Sequence, residues 1–147
     1  MHSRLSLRAW WSLPQWFDEG VAVAVSEAPE HSEDHWQFLV ARNIARPTRN
    51  ELLNYRSLRD WLNAVHRYGE VQNKERKANG EPEVRPVYTA AGHEVRPWLA
   101  RVGSQGLLTL IERLNEGEDF LDAYRGVVAE IDHKTTQADS AHSQLQP

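Results

Sequence analysis

With seven histidines and no cysteine in 147 residues, any metal held by this chain must be bound through His, Asp or Glu. Two residues near the beginning stand out for that chemistry. His2 opens the chain, and Glu19 follows 17 positions later, inside Leu13-Pro14-Gln15-Trp16-Phe17-Asp18-Glu19-Gly20-Val21-Ala22. Taken singly, both are ordinary. A glutamate early in a helix is favoured by the helix dipole, although a carboxylate so close to an apolar helix needs a partner if buried. His31 and His35 are spaced i and i+4, which puts two imidazoles on one helix face. Serine rather than glutamate follows His31, so that pair reads as accidental.

Taken together, His2 and the Trp16-Phe17-Asp18-Glu19-Gly20-Val21-Ala22 block resemble the last two ligands of a gluzincin-type (peptidase MA-like) zinc metallopeptidase. In that family one helix carries H-E-x-x-H and a following helix supplies a glutamate as third ligand. The resemblance implies that Met1-His2 is the end of that motif, with the first histidine and the catalytic glutamate upstream of Met1. It makes His2 and Glu19 zinc ligands. Catalytic zinc takes three protein ligands and one water, and the motif's glutamate serves as general base. Two ligands without that base predict weak zinc binding and no peptide hydrolysis by the chain as it stands. The resemblance extends to Tyr88-Thr89-Ala90-Ala91-Gly92-His93-Glu94-Val95-Arg96-Pro97-Trp98-Leu99, to Val102-Gly103-Ser104-Gln105-Gly106-Leu107-Leu108 and to the segment 114–124. It implies Tyr88 as donor to the oxyanion, with His93 the alternative. The matching segments lie outside 27–85.

The elements that must position these residues read as helices joined by polar loops. Pro14 suits a helix start, and Gln15 to Ser26 is apolar on most faces, as a buried helix would be. Val21 to Val25 alone is also compatible with a strand. A helix is expected over Asp34 to Asn43 and a turn over Pro47 to Asn50. Ser57 is a good N-cap for a run through Leu58, Trp61, Leu62, Val65 and Tyr68, ended by Gly69. The charged stretch 70–85 reads as a long mobile loop. Helical periodicity resumes at Val87, with Pro97 expected to kink or restart the helix. Two further amphipathic helices follow, ending near Asp132, and 132–147 reads as a disordered tail.

Composition narrows the function classes. A formal charge of −4 gives no reason to expect nucleic acid or an anionic membrane as partner. No apolar run reaches the roughly 18 residues that span a membrane. No secretory signal is visible, although one could lie upstream, so the compartment stays open. The expected architecture is mainly α: residues 1–131 as the helical C-terminal portion of a zincin-like metallopeptidase domain, acting on peptide or protein substrates when complete. The rival reading is a non-catalytic helical interaction module that uses an exposed Trp10/Trp11/Trp16 surface, which would also allow self-association.

Overall fold

The computed structural model describes residues 13–26 and 28–145, with side chains described as far as residue 138. The fold is mainly α, with no strand among the described residues. The chain divides into two compact units, one spanning Leu13–Pro97 and the other taking in the chain from Trp98 onward.

In the first unit, helix α1 (Gln15–Ser26) buries Trp16, Phe17, Gly20, Val21 and Val23. The 21–25 run is therefore helical. A 3-10 turn (Pro29–His31) leads into α2 (Glu33–Ala41), which is N-capped by Ser32 accepting from the His35 amide. Helix α2 stops in a Schellman motif: Asn43 takes φ 51°, its N–H reaches Val40, and the Ile44 N–H reaches Leu39. The apolar contact that accompanies this motif is present, because Leu39 and Ile44 pack together with Val84. An extended stretch then reaches Thr48, which caps the short helix α3 (Arg49–Leu53).

Ser57 caps α4 (Leu58–Ala64), as its spacing predicts. The run does not end at Gly69. It passes into a π-helical turn (Val65–Val71) and on into α5 (Gln72–Ala78). Tyr68 anchors the π turn by donating its hydroxyl to Glu51 at 3.0 Å, and Gln72 donates its amide to the Tyr68 carbonyl at 2.8 Å. Burial first, and then the Glu51 carboxylate, push the Tyr68 phenol above its usual range. Gly80, at φ 72°, closes α5 in a second Schellman motif.

Part of the segment expected to be a loop is thus helix. Gln72 to Ala78 contains good helix formers but no apolar face, so periodicity could not flag it. The remaining extended stretch is fixed by Asn73. Its side-chain amide both donates to and accepts from the backbone of the fully buried Val84, at 2.8 Å each way.

Helix α6 (Pro86–Asn115) runs through Pro97, and its one non-helical residue is Gly103, at φ 65° and ψ −171°. The expected break at the proline falls at the glycine instead. Two glycines determine how α1 meets the start of α6. A Cβ on Gly20 would lie 2.7 Å from the Ala91 carbonyl oxygen, and one on Gly92 would lie 2.5 Å from a Val23 methyl. The two backbones cross where only hydrogen fits.

In the second unit, the end of α6 and α7 (Phe120–Leu145) form a helical hairpin closed by Gly117. Trp98 stacks on Tyr124 at 4.9 Å and donates its indole N–H to the Tyr124 carbonyl. Arg113 bridges Glu118 and Glu130, and Arg101 pairs with Asp132. Helix α7 continues through residues expected to be a disordered tail. No glycine or proline lies between Gly126 and Pro147 to stop it, and a Glu130–Lys134 pair one turn apart supports the continuation.

The crossing makes a direct prediction. Gly20→Ala should lower stability by about 1–3 kcal/mol through overpacking. Gly69→Ala, with nothing within 4 Å and no positive φ, should raise it by about 0.5–1 kcal/mol. Urea denaturation of the two variants beside the parent checks both signs.

Candidate functional site

Glu19 sits one turn into α1, next to the glycine that admits α6. The Gln15 side-chain amide donates to its Oε1 at 2.9 Å, and the carboxylate is half-buried. This is the partner that a carboxylate on an apolar helix needs, and it holds the group in one place.

Tyr88 lies on the first turn of α6, about one helical turn before the crossing at Ala91. Its ring is seated by two neighbours. Trp61 meets it edge-on at 5.3 Å, and His31 lies against it at 5.6 Å. Its hydroxyl bonds to none of the described residues. A groove of about 720 Å³ opens beside it, lined by the π turn at Val65 and Gly69, by the extended segment up to Arg85 and by the start of α6. π turns of this kind recur at functional sites.

His31 joins these residues electrostatically. Burial is the main cause holding its imidazole below the ordinary range. Glu30 opposes that shift, Arg85 adds to it, and Glu19 also opposes it. Glu19 is the weakest of these four influences on His31, and it is His31 that lies against Tyr88. The His31 Nδ1 is buried with no hydrogen-bond partner among the described residues. His35 is likewise depressed, first by burial and then by His31 and Arg76, and its Nε2 accepts the Arg85 N–H at 3.3 Å. His31 ends the 3-10 turn and His35 lies in α2 beyond the extended Ser32 cap, so the i,i+4 pair does not share one helix, and among the described residues it joins no group that could hold a metal ion.

The other expected residues lie elsewhere. His93 is stacked on Trp36 at 4.0 Å, and its Nδ1 lies 2.9 Å from Glu33, which also accepts from Arg96. It belongs to a different polar cluster from Tyr88. His2, Trp10 and Trp11 fall outside the described residues. Trp16 is fully buried in the core and is not an exposed platform, which removes one of the three tryptophans from the interaction surface the rival reading required.

Among the described residues, no three His, Asp or Glu side chains are grouped to hold a metal ion. Glu19 is suited in chemistry to be one oxygen ligand, but the described residues alone do not make the three-ligand site that catalytic zinc requires.

The two depressed histidines set a pH dependence. Because their folded-state pKa values lie below the unfolded value of 6.5, the unfolded chain binds protons more readily. The associated stability is complete above that value and is lost as pH falls below it and through the lower folded-state values. The urea midpoint should therefore drop between about pH 7 and pH 5, and His31→Gln/His35→Gln should flatten that drop.

Compared with known proteins, the chain matches no protein-family model, no curated protein sequence and no solved structure.

Proposed function

We propose that this chain is the C-terminal part of a gluzincin-type zinc metallopeptidase domain, whose complete form hydrolyses peptide bonds. The observation that carries the reading is the Tyr88 hydroxyl, without a partner among the described residues and seated by Trp61 and His31 at the edge of a groove. Among the described residues this hydroxyl has no partner, which leaves it available as a donor. The gluzincin resemblance of the Trp16 to Ala22 block supports the same assignment.

In this reading each residue has a distinct task. Glu19, steadied by Gln15, is the third ligand, with His2 as the second. Zinc, when bound, supplies a Lewis acid and an activated water. The groove takes an extended stretch of substrate. Tyr88 points a donor at the carbonyl oxygen as negative charge gathers there, a contact stronger in the transition state than in the substrate. The neutral imidazole of His31 packs the tyrosine ring and limits its rotation. Without a general base and a first histidine, the chain by itself should bind zinc weakly and cleave no peptide.

The test is an extended protein in which a segment ending H-E-x precedes Met1-His2. It should bind zinc and hydrolyse a casein substrate. Glu19→Ala should lose the metal, whereas Tyr88→Phe should keep it and lose about 10²-fold in kcat. Full zinc content and full activity in Glu19→Ala would refute the proposal. An active Tyr88→Phe beside an inactive His93→Ala would move the donor role to His93.

A further inference from the structure

The loop that leaves α2 encloses a second cleft, of about 670 Å³, that involves none of Glu19, His31 or Tyr88. Its apolar wall is made by the buried side chains of Ile44, Pro47, Leu52 and Ala90. Its polar side is built around one cation. Arg46 is half-buried, donates from Nη1 to the carbonyls of Ile44 at 2.9 Å and Leu39 at 3.4 Å, and places its guanidinium 5.4 Å from the Trp36 ring. These contacts restrict the side chain, yet among the described residues no carboxylate pairs with it.

The charges around Arg46 are otherwise matched. Arg49 is engaged by both oxygens of Glu94, at 2.8 and 3.0 Å. His93 and Arg96 share Glu33. Arg46 is thus the one cation of this cleft left without a counter-charge among the described residues. A planar guanidinium with free N–H groups is shaped to take a carboxylate in a two-pronged contact. An apolar pocket carrying a few fixed polar groups, at this volume, is the usual form of a small-ligand site.

We propose that this cleft binds an organic monocarboxylate, its apolar body against Ile44, Pro47, Leu52 and Ala90 and its carboxylate on Arg46. The carboxylate can belong to a free small acid or to the C-terminal residue of a peptide. The preorganised arginine makes the site selective for the acid over its amide, since the amide offers no negative charge to the guanidinium. The proposal stands apart from the metallopeptidase reading, because neither Arg46 nor its apolar wall is a ligand or a donor there, and His93, the alternative donor, lines the cleft already paired with Glu33.

Calorimetric titration of the chain with N-acetylphenylalanine, with its carboxamide and with a short peptide ending in phenylalanine tests it, with the Trp36 indole N–H resonance as a local reporter. The acid should bind and shift that resonance, and the amide should bind about tenfold or more weakly. A tighter peptide would assign the carboxylate to a chain terminus, and a tighter free acid would assign it to a small molecule. Arg46→Gln should lose the preference for acid over amide. Ala45→Trp, which crowds the cleft and leaves Arg46 in place, should weaken every ligand while circular dichroism stays unchanged. Equal binding of acid and amide, unchanged binding by both variants, or no heat and no indole shift with any of the three would overturn the proposal.

Discussion

The arrangement of the first unit depends on the close crossing of α1 and α6. Gly20 lets α1 approach the Ala91 carbonyl, and Gly92 receives Val23 in return. A side chain at either position would need space already taken by backbone or by a packed methyl, so the separation of these helices is fixed by the absence of two Cβ atoms. That spacing brings the turn carrying Glu19 beside the helix carrying Tyr88. It also seals Trp16, Phe17, Val21 and Val95 from water, so the polar pieces of the site rest on a rigid apolar base.

The remainder of the unit works as a frame for the segments around that crossing. Three side-chain caps, from Ser32, Thr48 and Ser57, start helices. Schellman motifs at Asn43 and Gly80 stop them and turn the chain back towards the core. Where no regular element is present, single side chains supply the missing backbone partners: Asn73 for Val84, and Arg46 for Leu39 and Ile44. The same economy leaves Arg46 with charge to offer a ligand, because neutral carbonyls satisfy its hydrogen bonds without cancelling its charge.

Much of this was legible from residue pattern. The α1 boundaries, the Ser57 cap and the mainly α class follow from apolar spacing and capping chemistry, which are local. What was missed depended on contacts distant in sequence or on the absence of a signal. Helix α5 has no apolar face, and α3 is a five-residue helix that begins within the turn expected over Pro47 to Asn50. The α7 extension is too polar to look ordered, although nothing in it breaks a helix. Pro97 looked like the break in α6, but the break fell at Gly103, whose positive φ no pattern of apolar residues announces. At the site, Glu19 and Tyr88 carried a sequence signal through the gluzincin resemblance. The contact of His31 with Tyr88 had no such signal, because it joins residues 57 positions apart (88 − 31).

The central claim is that Glu19 and Tyr88 face one metal-dependent reaction. The most direct measurement is anomalous diffraction at the zinc absorption edge from crystals of the protein extended through its H-E-x segment. The account predicts a single strong peak at bonding distance, about 2.0–2.2 Å, from a Glu19 carboxylate oxygen, with the Tyr88 hydroxyl turned towards the open coordination position. A zinc peak coordinated elsewhere, with Glu19 still bonded only to Gln15, would contradict it.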